Sequence, residues 1–147
     1  MNSNILPSDR ALVLGVIDPD ATAAGTVTTG WVSMSDHANA MAIVMAGTLG
    51  TSATLDAKIE QATDSSGTGA KDITGKAITQ LTQAGTDSDK QAIINVSEND
   101  LDIANDFTHI RLSMTVAVAT SDVGGMVLGF DAAYAPGTDA ATVDEIV

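Results

Sequence analysis

Residues 108–119, Thr-His-Ile-Arg-Leu-Ser-Met-Thr-Val-Ala-Val-Ala, decide the fold class. Every second position in this segment is apolar, a set made up of Ile110, Leu112, Met114, Val116 and Val118. A period of two places these side chains on one face of a strand, whereas a helix would distribute them around its axis. The segment therefore predicts a half-buried antiparallel strand.

Several other segments repeat this pattern. Apolar residues recur at every second position in residues 54–62, 92–97 and 126–134, and we expect Phe130, like Trp31, to lie in the core. Residues 41–49 are almost entirely apolar, which is typical of a central strand covered on both faces. Residues 26–34 and 72–81 predict two further strands, the second interrupted by Gly75.

The predicted strands are separated by short turn segments and leave no room for crossover helices. Residues 64–69, 84–89 and 122–125 are rich in Gly, Ser and Asp, which favour turns. Seven or eight short strands in a chain of 147 residues predict one all-β domain, a single antiparallel β-sandwich. We expect a jelly-roll-like topology; the sequence leaves an immunoglobulin-like arrangement open.

The two ends of the chain differ in composition from the middle. Residues 1–25 contain an isolated apolar run at 12–17 and predict either an edge strand or an extended N-terminal arm that pairs with a neighbouring subunit. Residues 26–135 form the predicted sandwich domain, which we expect to stay folded when residues 1–25 are deleted. Residues 136–147 predict a flexible, acidic C-terminal tail.

The charge balance excludes several classes of partner. Six basic residues stand against 19 acidic ones, for a net charge of −13. Phosphate attracts basic proteins, so we expect no direct binding to nucleic acid and none to an anionic membrane surface. The chain has no apolar run long enough to span a bilayer and no secretory signal pattern, and we expect a soluble protein.

The sequence contains no recognisable catalytic motif. Cysteine is absent, which removes thiolate zinc sites and cysteine nucleophiles, and no serine stands in a nucleophile-elbow motif. His109 falls on the polar face of the clearest strand, and His37 falls in a predicted turn. We therefore expect no enzyme activity, no catalytic residue, no cofactor and no metal site.

Two acidic loop segments are the remaining candidates for a ligand. Calcium prefers clustered carboxylate and carbonyl oxygens on irregular loops. The candidates are the pair Asp87 and Asp89 and the group Glu98, Asp100 and Asp102. Neither has the spacing of an EF-hand loop, and solvated turns are the simpler interpretation. A carbohydrate- or receptor-binding sandwich is a further alternative, weakened because aromatic residues make up only 3% of the chain.

The middle of the chain resembles a known class of proteins. The resemblance is carried by three neighbouring segments, residues 53–58, 61–71 and 73–82, and continues through 93–96, 101–102 and 107–118. Together these resemble the small virion proteins of tailed-phage and prophage head modules, most of all the head decoration, or cement, proteins. The resemblance covers roughly residues 26–135 and includes no catalytic motif.

The resemblance implies a structural role in the virion. It implies a protein made in the bacterial host cytoplasm that binds the phage major capsid protein on the outer capsid surface and stabilises the shell by tying neighbouring capsomers together. It also implies a homo-oligomer, with a trimer favoured, or contacts between neighbouring copies on the shell. The alternative within the same class is a head–tail or tail-associated structural protein.

Overall fold

The computed structural model describes residues 6–134 and 137–147. A single helical turn, α1 (Pro7–Arg10), precedes ten strands. The strands are β1 (Ala11–Thr22), β2 (Gly25–Thr28), β3 (Val32–Ser33), β4 (His37–Ala46), β5 (Thr54–Ala62), β6 (Lys71–Ala77), β7 (Leu81–Thr82), β8 (Gln91–Ser97), β9 (His109–Ala117) and β10 (Ser121–Ala132). Two 3₁₀ turns, Glu98–Asp100 and Ile103–Asn105, connect β8 to β9.

The strands form two antiparallel sheets. Sheet A has the order β1-β10-β4-β8, and sheet B has the order β2-β9-β5-β6, with β3 and β7 paired to β9 and β5. The pairings are nested, because β1 pairs with β10, β2 with β9, β4 with β8 and β5 with β6. This is the pattern of a long antiparallel ribbon rolled into two facing sheets, which defines a jelly roll. The predicted fold class is therefore confirmed.

The core lies between the two sheets, and most of its largest fully buried side chains come from sheet B. The inward side chains of β9 are Ile110, Leu112, Met114 and Val116, as the alternation predicted, and each is at most 1% exposed. Leu55 and Ile59 of β5 are equally buried, and Val44 of β4 and Val127 of β10 meet them from sheet A. Facing apolar sheet surfaces of this kind stabilise a sandwich by removing apolar area from water.

A glycine on β10 allows the two sheets to approach each other. A Cβ atom at Gly125 would lie 2.9 Å from Cδ2 of Leu112 and 3.1 Å from Sδ of Met114. Both distances are shorter than ordinary van der Waals contact, so a larger residue at this position would push β9 away. Gly125 therefore sets the local spacing between the sheets.

Several predicted strands have different limits in the structure, and residues 122–125, predicted as a turn, lie inside β10. β9 ends at Ala117, because Val118 has a φ of 73°, which is costly for a β-branched residue, and its side chain is 70% exposed. The strand predicted over residues 26–34 is divided into β2 and β3. The strand predicted over residues 72–81 is divided into β6 and β7, and Gly75 lies inside β6 with a φ of 78°.

Most of the N-terminal segment is part of the sandwich. Residues 11–22 form β1, which pairs with β10 from Ala11 opposite Phe130 to Thr22 opposite Ser121. Leu12 and Ile17 of β1 are buried. Residues 1–5 of the predicted arm lie outside the described residues.

The C-terminal segment contacts the outer edge of β1. The amide of Val13 donates to Oδ1 of Asp139 at 2.7 Å, and the carbonyl of Val13 accepts from the amide of Ala140 at 2.7 Å. Residues 137–147 contain no helix or strand. Pro136, where the predicted tail begins, lies outside the described residues. The tail thus covers part of the sheet edge that β1 would otherwise leave open.

The position of β1 changes the expected result of truncation. Deleting residues 1–25 removes an entire strand of sheet A and exposes the side of β10 that it pairs with, so we expect this variant to unfold or aggregate. Deleting residues 1–10 leaves β1 complete, and we expect its urea midpoint to stay close to that of the full chain. Circular dichroism with urea titration tests both variants; a cooperatively folded 26–147 fragment would contradict this prediction.

Candidate interaction surface

The outward face of sheet A is apolar. It comprises one to three side chains from each of the four strands: Val13 and Val16 of β1, Met126, Leu128 and Phe130 of β10, Met41, Ile43 and Met45 of β4, and Ile93 of β8. We call this set the apolar face. Its residues on β1, β4 and β10 are half-buried by their neighbours within the sheet, and Ile93 is 58% exposed.

The strand register aligns these residues in rows across the sheet. Val16 lies opposite Met126, Met126 opposite Ile43, and Ile43 opposite Ile93, so one apolar row crosses all four strands. A second row joins Val13, Leu128 and Met41. Directly opposed side chains on one face are close enough to pack together. The face is therefore continuous.

The strands of sheet A carry few charges, and these stand outside the apolar face. Asp18 and Asp20 lie near the end of β1, and Asp122 and Asp131 lie near the two ends of β10. β4 and β8 contain no Asp, Glu, Lys or Arg. Large contiguous apolar patches are rare on monomeric soluble proteins and mark interaction sites.

The outward face of sheet B has the opposite character. Nε of Arg111 donates to Oε2 of Glu60 at 2.7 Å, and Nζ of Lys58 lies 3.2 Å from Oε1 of Glu60 and 2.6 Å from Oδ1 of Asp72. The hydrogen bond to Asp72 is the main reason that the pKa of Lys58 is raised. Such a charged and hydrogen-bonded face is suited to water. The sandwich therefore has one polar and one apolar outer face.

The apolar face explains where the sequence predictions for sheet A were wrong. Residues 41–49 were expected to be covered on both faces, but sheet B covers only the side of Ala42 and Val44. On β10 the inward residues are Val123, Gly125, Val127 and Gly129, so Phe130 points outward and is not in the core. A period of two identifies a strand but does not say which of two apolar faces is inside.

The two histidines are on separate strands. His37 begins β4, where the sequence predicted a turn; it is 6% exposed, and within the described residues its Nδ1 has no hydrogen-bond partner. It lines a small cavity together with Asp36 and Tyr134. His109 is half-buried at the start of β9, and its Nδ1 is 2.9 Å from Oγ1 of Thr108.

Three of the five carboxylates in the two candidate calcium segments, those of Asp87, Asp100 and Asp102, are held by other groups. Asp87 accepts hydrogen bonds from Nζ of Lys90 at 2.8 Å and from the amide of Thr82 at 2.9 Å. Oδ2 of Asp100 accepts from the amide of Ser97 and forms an ion pair with Lys76. No cluster of three potential metal-ligating side chains occurs in the described part of the chain.

Asp102 and Asp64 are likewise hydrogen-bonded. Asp102 forms an ion pair with Lys71 and accepts from the side chain of Asn105, and Oδ1 of Asp64 accepts from the amides of Ser66 and Thr68. These interactions favour the charged form and lower the pKa of each carboxyl group below 3.8. Hydrogen bonds from Lys90 and from the Ser97 amide are the main causes of the same shift in Asp87 and Asp100.

These shifts predict how stability depends on pH. A carboxyl group whose pKa is lower in the folded state contributes stability above its unfolded pKa and loses it as the pH falls through its folded pKa. We therefore expect the urea concentration at the unfolding midpoint to decrease as the pH is lowered below about 4. Asp100→Asn should lower the midpoint at pH 7 and reduce this acid sensitivity, measured against Asp144→Asn in the tail; an unchanged pH profile for Asp100→Asn would contradict the assignment.

Trp31 does not form an open platform for a sugar ring. Cζ of Arg111 lies 4.5 Å from the centroid of its ring, in a cation–π arrangement. The edge of its ring packs against the loop between β5 and β6, where a Cβ atom at Gly67 would lie 2.5 Å from Nε1 of Trp31. Trp31 is therefore half-buried between a charged side chain and a turn, not placed in the core as the sequence predicted.

Comparison with known proteins gives likenesses of shape only. No protein-family model and no curated protein matches the chain. In residues 6–134 and 137–147, no helix has the length and apolar character needed to cross a membrane.

Three solved structures from viruses are similar to the chain. One is that of infectious bursal disease virus Gt strain, with a TM-score of 0.44, 12% identity, and coverage of 82% of this chain and 33% of that one. The Gx strain gives a TM-score of 0.38 and 12% identity, with coverage of 84% and 33%. The empty virus-like particle of cowpea mosaic virus gives a TM-score of 0.44 and 10% identity, with coverage of 99% and 96%.

The chain spans about a third of the length of the two bursal disease virus chains. The assignment of a jelly roll rests on the strand order and the antiparallel pairings of the chain itself.

Proposed function

We propose that this protein is a structural virion protein that binds the outer surface of a phage capsid and cements neighbouring capsomers. The observation that carries the proposal is the apolar face of sheet A, which no described strand covers and which has α1 beside it only at Phe130. Such a face needs a protein partner, because leaving it in water forfeits the free energy of apolar burial. The partner is the major capsid protein, in line with the resemblance of residues 26–135 to head decoration proteins.

The charge distribution supports binding to the outside of a shell. With a net charge of −13, the protein is repelled by packaged DNA. The apolar face contains no charged side chain, so it can contact another protein without placing a charge in the interface. When it docks on a capsid, the charged face of sheet B points to the solvent.

The proposed mechanism of stabilisation is binding to the assembled state. A ligand that binds the intact shell and not its separated parts stabilises the shell by mass action. Contacts with two neighbouring capsomers strengthen one another, since the second contact forms at high effective concentration. Three methionines, Met41, Met45 and Met126, give the face an adaptable surface suited to sites that differ slightly around a shell.

Self-association belongs to the same proposal. The resemblance to cement proteins implies a homo-oligomer, with a trimer favoured, or contacts between neighbouring copies on the shell. The described residues contain no helix longer than a single turn, so self-association through a coiled coil is not available to them. Contacts between copies would use the sheets, their edges or the loops.

A charge placed in the apolar face should weaken capsid binding. Ile43 lies at the centre of the face and points away from the core, so we expect Ile43→Lys to fold normally. Burying an unpaired lysine against a partner is costly, and we expect the dissociation constant for capsid shells to rise at least about tenfold, or ~1.4 kcal/mol. Co-sedimentation with shells of the major capsid protein measures this change.

The matched control places the same charge on the other outer face. Thr115→Lys lies on β9 in sheet B, opposite Asp56, and should leave capsid binding unchanged. Circular dichroism and the urea midpoint check that both variants are folded. Equal binding of the two folded variants would refute the assignment of the apolar face, and the absence of any binding by the unmodified protein would refute the proposed function.

A further inference from the structure

The two sheets have four edges, and three of them are protected against pairing with another strand. β1 contains Asp18, Pro19 and Asp20, has two register shifts, and is covered at Val13 by the tail. β2 has only four residues, and β6 carries Lys71, Asp72 and Lys76 and has an irregular register with β5. Short edges, charges, proline and bulges are the usual means of preventing edge-to-edge association.

β8 is the fourth edge, and it lacks these protections. Its sequence, Gln-Ala-Ile-Ile-Asn-Val-Ser, contains no charge, proline or glycine, and its register with β4 is regular over seven residue pairs. The side chains of Gln91, Ile93 and Asn95 are exposed. No described strand is hydrogen-bonded to its other side.

The hydrogen-bond pattern shows which backbone groups of β8 face outward. The amide of Ala46 donates to the carbonyl of Lys90 at 2.9 Å, so residue 90 faces β4. In a regular antiparallel ladder, alternate residues face the same neighbour. Residues 92, 94 and 96 therefore also face β4. The N–H and C=O groups of Gln91, Ile93 and Asn95 point away from sheet A; we call these three residues the open edge.

We propose that the open edge pairs with the open edge of a second copy of this chain, in an antiparallel two-fold arrangement. An edge of six outward backbone groups is satisfied by an identical strand running the other way. This isologous contact closes on itself and forms a dimer, in place of the trimer that the resemblance to decoration proteins implies. The two sheets A become one continuous sheet of eight strands.

The residues of the open edge suit this self-pairing. With Ile93 opposite Ile93 of the partner subunit, Gln91 lies opposite Asn95 of the partner subunit, and the two amide side chains can hydrogen-bond. The strand carries no charge, so its self-pairing places no like-charged side chains opposite one another. The two-fold axis is perpendicular to the sheet, and the apolar faces of both copies lie on the same side.

The first experiment measures the mass of the free protein. Light scattering coupled to gel filtration, over a concentration series, should give twice the 14.9 kDa mass of one chain. Ile93→Lys should return the protein to the monomer, because a lysine on an edge strand opposes pairing. Ile43→Lys, in the apolar face but on the internal strand β4, and Thr28→Lys, on the β2 edge of sheet B, add the same charge and should remain dimers.

A second experiment tests the register of the proposed pairing between the two β8 strands. Because the chain has no cysteine, a single introduced cysteine can form a disulfide only with the same residue of another copy. Paired residues in an antiparallel ladder have Cα atoms about 5.5 Å apart, within the range for a disulfide. Ile93→Cys should therefore form a disulfide-linked dimer under mild oxidation, and Thr28→Cys should not. The readout is a non-reducing gel, after circular dichroism shows that both variants are folded.

The outcomes separate this inference from the proposed function. A monomer at all concentrations, a trimer, or a dimer that Ile93→Lys leaves intact would each overturn the pairing of β8. None of these results bears on whether the protein binds capsids. Conversely, a β8-dependent dimer that fails to sediment with shells would support the pairing and refute the proposed function.

Discussion

The packing of β9 against sheet A is the interaction on which the rest of the structure depends. Leu112 and Met114 reach across to β10, and Gly125 provides the space that they occupy. This contact fixes which side of β10 is inside, and the ladder of β10 then fixes the faces of both its neighbours, β1 and β4. The outward position of the apolar face is thus a consequence of one close contact in the core.

The two outer faces of the sandwich differ in polarity. The outer side of sheet B carries ion pairs and hydrogen bonds, among them the contact between the Thr26 and Thr115 hydroxyl groups at 2.8 Å. The outer side of sheet A is apolar and is flanked by the open edge of β8. A protein with one face suited to water and one suited to protein can attach to a surface without inserting into it.

The sequence was sufficient to predict the strands that have one apolar and one polar face. In β5 and β9 the apolar residues are inside, and the predicted core residues, such as Leu55 and Ile110, are fully buried. The nested pairing order that separates a jelly roll from an immunoglobulin-like sandwich depends on long-range contacts. No local pattern encodes it, and the sequence left that choice open.

The candidate surface was less predictable, for a physical reason. β4 is apolar on both faces, and the sequence pattern of a strand covered by its own chain is the same as that of a strand covered by a partner. On β10 the large residues alternate with glycines, and size suggested that the large ones were inside. Gly125 and Gly129 are inside because neighbouring side chains already fill that space: Leu112 and Met114 of β9 beside Gly125, and Leu14 and His37 beside Gly129. Only the positions of other strands reveal this.

The methionines of the apolar face have a chemical consequence for handling the protein. Met41, Met45 and Met126 are partly accessible on this face, whereas Met34 and Met114 are buried. Peroxide converts accessible methionine to the sulfoxide, which is polar and a hydrogen-bond acceptor. Oxidative ageing would therefore turn the apolar face into a polar one while leaving the core unchanged. The extent of methionine oxidation in a preparation will therefore affect any measurement of binding by this face.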